Sequence, residues 1–159
     1  MKKLLAILAL CLTLGTTAQA QWYLGGSGSL GYNTDGFQFT LIPRAGYEFN
    51  DMFAVEAGLG VYTDFNYAYG SADAWFRFTP WHNDIVYIDL LAGGDIFFND
   101  YIGTSDLGIR PQLRFRIHPS VDFSTWVGLF GASYDYFDGW SPTFLATGIS
   151  CGVAAVYRF

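Results

Sequence analysis

Residues 106–117 alternate without a break: Leu107, Ile109, Pro111, Leu113, Phe115 and Ile117 share one parity, and Gly108, Arg110, Gln112, Arg114 and Arg116 the other. A helix would spread those arginines around its circumference, whereas a strand puts them on one face. The same period of two returns in seven further segments separated by turn-forming residues. The predicted strands are 22–32, 37–49, 52–63, 69–79, 85–98, 106–117, 121–134 and 143–159. Alternating segments of about ten residues between turns are the pattern of a transmembrane barrel, in which side chains face lipid and lumen by turns. Beyond residue 20 nothing approaches the roughly 20 uninterrupted apolar residues of a spanning helix. The expected fold is all-β, an eight-stranded antiparallel up-and-down transmembrane β-barrel. Ten strands would leave about 14 residues for each strand and connection, tight against the roughly 9–11 that one crossing consumes.

The first twenty residues carry a different signal. Lys2 and Lys3 precede an apolar stretch over 4–14, and Ala18-Gln19-Ala20 follows as a small-x-small cleavage site. This is the layout of an export signal, expected over 1–20, with one barrel domain over 21–159 and no room for a second module. The chain is 52% hydrophobic and 19% aromatic with only 14% charged residues, yet its apolar residues are dispersed, as an inside-out barrel requires. Cys11 falls in the signal and Cys151 is left alone, so neither an intramolecular disulfide nor a cysteine metal cluster is expected. Both lysines also fall in the signal. Six arginines then face fourteen acids, and a nucleic-acid partner is disfavoured by charge.

Connections alternate in character. Asn50-Asp51, residues 80–84 and His118-Pro119-Ser120 read as tight periplasmic turns, and residues 33–36, 64–68, 99–105 and 135–142 as short extracellular loops. Strand parity then sorts the charges. Arg44, Glu48, Glu56, Asp73, Arg77, Asp89, Asp95, Arg110, Arg114, Arg116, Asp122 and Arg158 fall on the interior face, six acids against six bases. The remaining acids, Asp106 among them, fall in or beside connections. Val121, Phe123, Val127 and Leu129 are read as lipid-facing, and so are Cys151, Val153, Ala155, Tyr157 and Phe159. Trp22, Tyr47 and Trp81 gather at one rim, and Tyr32, Tyr62, Tyr67, Tyr101, Tyr134 and Trp140 at the other, where amphipathic rings suit the headgroup level. Pro43 and Pro111 each remove a ladder donor inside a strand, so a bulge or bend is expected at both.

Pro43-Arg44-Ala45-Gly46-Tyr47 leading to Asn50-Asp51 resembles the second strand and first periplasmic turn of the small OmpA/OmpX-like outer-membrane barrels of the porin family. The ending Tyr157-Arg158-Phe159 resembles their C-terminal signature. The resemblance spans 21–159 in period and length more than in identity. It implies an eight-stranded barrel in the bacterial outer membrane and recognition of Tyr157 and Phe159 by the barrel insertion machinery. It also implies a role in envelope integrity or surface contact rather than catalysis, with no cofactor. The expected surroundings are outer-membrane lipids and lipopolysaccharide, and a monomer is expected. In contrast to the larger members of that family, no peptidoglycan-binding domain is expected beside the barrel.

Hairpin geometry around Asn50-Asp51 and Asn66 puts Arg44 opposite Glu56 and Glu56 opposite Arg77, and that around Tyr101 puts Asp89 near Arg114. An eight-stranded barrel has an interior only wide enough for side chains to fill, and charges buried there must be paired. A salt-bridged plug is the expectation, with a narrow ion or small-solute channel as the alternative. A third reading, a lipid A-modifying enzyme, rests on His118-Pro119-Ser120, because some outer-membrane lipid deacylases pair histidine with serine. Here proline intervenes in a periplasmic turn, and turn chemistry accounts for the motif. His82 has no second ligand near it for a metal. The glycines of the first strand are not followed by the helix a phosphate loop needs. Loop aromatics such as Tyr69, Tyr136, Phe137 and Trp140 are read as interfacial girdle before ligand surface.

Overall fold

The computed structural model describes residues 21–33, 36–64, 68–98, 105–135, 139–143 and 149–158. They form β1 (Gln21–Asn33), β2 (Gly36–Glu48), β3 (Phe53–Asp64), β4 (Ala68–His82), β5 (Val86–Phe98), β6 (Ser105–His118), β7 (Val121–Val127), β8 (Phe130–Asp135), β9 (Gly139–Thr143) and β10 (Ile149–Arg158). Pairing runs β5-β4-β3-β2-β1-β10-β7-β6, and a β5–β6 ladder closes the ring. The wall therefore has eight antiparallel staves. The seventh continues from β7 into β8, which stays on β6, and β9 pairs β8 in front of β10. The stretch 1–20 read as an export signal, Phe159, and the loop aromatics Tyr67, Tyr101, Tyr136 and Phe137 lie outside the described residues.

Local chemistry explains two of the reversals. Asn50 Oδ1 accepts the backbone N–H groups of Met52 and Phe53, each at 2.9 Å, and Asn83 Oδ1 accepts those of Ile85 at 2.9 Å and Val86 at 2.6 Å. Both are side chains mimicking a turn backbone. The second turn lies later than the expected 80–84, because β4 runs through Pro80 to His82. The β4–β5 register slips by one residue between Phe78 and Trp81, so a bulge absorbs the proline.

The interior prolines behave differently from each other. Pro43 keeps its place opposite Gly26 on β1, while the ladder to β3 lapses between Leu41 and Arg44 and resumes in the same register. There the sheet opens without the bulge that was one of the two expectations. Gly60 sits beside this gap, where a Cβ would stand 2.1 Å from the Leu41 carbonyl oxygen, so only glycine allows the two strands to approach so closely. At Pro111 the bulge is in the facing stave. β6 pairs β8 up to Ile109 and β7 from Gln112 onward, and the gap falls at Gly128-Leu129, with Gly128 at φ 71°. One extra residue inverts the parity beyond it. Phe130 thus faces outward and Leu129 lines the lumen, which corrects the lipid-facing assignment of Leu129.

The outside of the wall is apolar. Leu24, Leu59, Leu107, Leu113 and Phe123 are exposed, Leu59 at 72%. A continuous apolar girdle of this kind suits lipid and not water. Trp22 packs at a tilt against Tyr47 at the rim near the termini with ring centroids 5.0 Å apart, and Tyr134 likewise against Trp140 at the opposite rim at 5.3 Å.

Candidate functional site

Inward-pointing residues of all eight staves meet in the lumen, and their chemistry divides it into two halves. In the half nearer Gln21 and Arg158, three carboxylates hold four arginines. Glu48 accepts from Arg158 Nε at 2.8 Å and Nη2 at 3.0 Å, pairs with Arg77, and lies 3.7 Å from Arg114 Nη1. Asp122 accepts from Arg114 Nη1 at 2.8 Å and Arg158 Nη1 at 2.6 Å, with Arg116 Nε at 3.4 Å. Asp89 accepts from Arg114 Nε at 2.7 Å, from Thr79 Oγ1 at 2.6 Å and from Gln112 at 3.4 Å. Arg114 and Arg116 also lie over the Tyr87 ring, 4.2 and 4.7 Å from its centroid. Each arginine except Arg116 is nearly inaccessible. Removing one partner from such a network would leave a buried charge uncompensated.

The other half is built around Glu56. It accepts from Arg44 Nη1 at 2.7 Å and Tyr23 Oη at 2.9 Å, and Arg44 also pairs with Asp73. Tyr23 lies across Gly46 with its ring where a side chain would be, so the glycine makes room for the hydrogen bond. Arg110 is held differently. Its guanidinium is sandwiched between Trp75 at 4.1 Å and Trp126 at 4.5 Å, and its nearest ion-pair oxygen, Glu56 Oε1, is 3.7 Å away. Nε and Nη2 of Arg110 are buried with no hydrogen-bond partner.

A cavity of about 130 Å³ occupies this loop-side half, lined by Ser29, Thr40, Asp95, Asp106 and Arg110 among others. A second recess of about 180 Å³ opens at the terminal mouth, with Glu48, Arg116 and Arg158 in its wall. The ion-pair network stands between the two.

All twelve residues read as interior charges face the lumen. Arg44 meets Glu56, and Asp89 meets Arg114. The expected Glu56–Arg77 pairing is replaced, because the β3–β4 register sets Arg77 opposite Ala54 and Glu56 opposite Trp75, and Arg77 reaches Glu48 instead. Asp106 belongs with the lumen as well, opposite Asp95 and in contact with Ser133. Tyr23, Trp75, Tyr87 and Trp126 were not singled out in the sequence. Their parity relative to the arginines on the same or adjacent staves was the signal that would have found them. Tyr157 faces outward at 52% exposure. In the turn at 118–120 the Ser120 backbone N–H donates to His118 Nδ1 at 3.2 Å, a turn contact. Among the described residues no group of three or more His, Cys, Asp or Glu is arranged to hold a metal.

A closed eight-stranded wall that is apolar outside and charged inside defines a small transmembrane β-barrel. Solved structures of that kind share the fold. A designed transmembrane β-barrel matches 87% of this chain and 95% of its own with TM-score 0.56 and 11% identity. Ail, the attachment invasion locus protein of Yersinia pestis, matches 89% of this chain and 99% of its own with TM-score 0.50 and 18% identity. Ail in complex with the heparin analogue sucrose octasulfate matches 88% and 97%, with the same score and identity. No protein-family model and no curated protein matches the chain.

Proposed function

We propose that the protein is a small integral barrel of the bacterial outer membrane, exported by its leader, that supports the envelope and meets surface partners through short loops while passing no solute. The observation that carries this reading is the Glu48–Asp89–Asp122 network with Arg77, Arg114 and Arg158, which fills the lumen between its two recesses. The barrel needs no cofactor for such a role, acts on no substrate, and has membrane lipid and lipopolysaccharide as its surroundings. Ail's designation as an attachment protein supports the surface-contact part of the reading.

One observation favours a narrow channel as the second reading: the network between the two recesses is rich in ion pairs, which can exchange partners. The test is to fold the 21–159 chain into lipid, verify folding by its altered gel migration when unheated, and record planar-bilayer conductance. Silence from folded barrels is expected. Steady current that changes on substituting Glu56 or Arg114 would replace the structural reading with the channel.

A further inference from the structure

An interfacial girdle does not account for three aromatic residues near the loops. Tyr62 and Tyr69 face each other in the β3–β4 ladder on the parity of Glu56 and Asp73, which turns both into the lumen and away from lipid. Phe97 shares the parity of Asp95 on β5. The rings form one cluster, with Tyr62 stacked on Tyr69 at 5.8 Å between centroids and tilted against Phe97 at 4.8 Å. All three are half-buried, and Tyr62 and Phe97 line the loop-side cavity. Rings turned toward an aqueous mouth forgo the lipid contact that explains a girdle aromatic. Another wall of the cavity is neutral and polar. Ser29 and Thr40 stand directly opposite in the β1–β2 ladder, with Gln38 two residues nearer the loop. None of the three makes a side-chain hydrogen bond to another described residue. The charges around the cavity are mostly answered from within the protein: Arg44 by Glu56 and Asp73, Arg110 by Asp95 and Glu56, and Asp106 by the Ser133 hydroxyl.

We infer that this cavity binds the ring of a neutral sugar. A pyranose carries hydroxyls around its edge and C–H bonds on its faces, so it matches a recess where aromatic faces converge with hydroxyl and amide groups. Tyr62 and Phe97 take a C–H face. Ser29, Gln38 and Thr40 exchange hydrogen bonds with the ring hydroxyls, and the carboxylates of Asp95 and Asp106 accept from others. An anionic sugar would be repelled by those carboxylates, and a cationic one by Arg44 and Arg110, which line the same space. The volume of about 130 Å³ corresponds to on the order of ten waters at ~10–15 Å³ each, enough for about one hexose. The site lies on the loop side of the ion-pair network and is independent of whether that network conducts.

Isothermal titration of the 21–159 barrel, folded in a detergent without a sugar headgroup, tests this with D-glucose and D-galactose as probes. The uronic acid and the amino sugar of each serve as charged counterparts. At least one hexose is expected to bind with a Kd of about 1 mM or tighter, and its two counterparts at least about tenfold more weakly. Phe97→Ala and Gln38→Ala should each weaken that binding by about tenfold or more with unheated gel migration unchanged. Should Phe97→Ala prevent folding, Gln38→Ala together with the cavity-filling Ser29→Phe decides the matter, and both must lose the hexose. Three outcomes would overturn the inference. These are no binding of either hexose, meaning that the cavity holds water only; a charged counterpart that binds as tightly as its hexose; and hexose binding that Gln38→Ala and Ser29→Phe leave untouched. The first outcome, from a barrel silent in planar bilayers, rejects the sugar site and leaves the structural role standing.

Discussion

The two halves of the lumen use the same residue types to opposite ends. Near the termini each carboxylate serves at least one arginine at hydrogen-bond distance, the arginines outnumber the acids by one, and little space is left inside the network. Toward the loops four acids, Glu56, Asp73, Asp95 and Asp106, face two arginines, Arg44 and Arg110, and a cavity remains. Pairing differs accordingly: Arg114 and Arg158 each bridge carboxylates of different staves at hydrogen-bond distance, whereas Arg110, clamped by two indoles, has no ion-pair oxygen nearer than 3.7 Å. A plug is thus a property of connectivity among charges. Their number alone does not make one.

Breaking the dense half should have the largest effect. Asp122→Ala strips Arg114, Arg116 and Arg158 of a shared partner at once, and a loss of about 3–5 kcal/mol is expected in urea unfolding of the folded barrel in micelles. The seam between the halves is the next most sensitive point. At Gly46 an added Cβ would stand 2.1 Å from Tyr23 Cζ, so Gly46→Ala should displace the ring, break its bond to Glu56 and cost about 1–3 kcal/mol by the same assay. Arg116 is the exception within the dense half, with 28% of its side chain exposed at the mouth and, besides the Tyr87 ring, a 3.4 Å ion pair to Asp122. Arg116→Gln should cost no more than about 1 kcal/mol. In the open half the sign reverses. Asp73, Asp95 and Asp106 stand directly opposite one another across β4, β5 and β6. Asp95→Asn should relieve that repulsion and stabilise the barrel by about 0.2–1 kcal/mol; a loss comparable to that of Asp122→Ala would erase the distinction between the halves.

Much of this architecture is legible in the residues because a strand's period of two makes one decision for a whole stave. Once Arg110, Arg114 and Arg116 share a face, the face is set for every neighbour in β6, and all twelve interior charges follow. What parity cannot carry is an inserted residue. Gly128 in the left-handed region shifts the seventh stave by one, which is why Leu129 changes sides and why that stave reads as β7 and β8. Nor does parity choose partners across strands. Arg77 lies near enough to several acids that a small register difference decides for Glu48 over Glu56, and the β3–β4 register depends on where that hairpin reverses, which strand parity does not specify. The aromatic clamp on Arg110 was hidden for another reason: parity turns Trp75 and Trp126 inward, but only closure of the barrel brings β4 and β7 to the same guanidinium.

The division of the lumen can be measured directly by thiol labelling in lipid vesicles, with Cys151 replaced by Ser and a single cysteine introduced at one of two inward positions. Ser29 lines the loop-side cavity, and Ser124 is buried in the terminal half opposite Arg114. A small water-soluble maleimide should modify the Ser29→Cys barrel in its folded state and leave the Ser124→Cys barrel unmodified until it is unfolded. Equal labelling of both positions in folded barrels would mean that water and solutes pass the ion-pair network, and the plugged lumen would be contradicted.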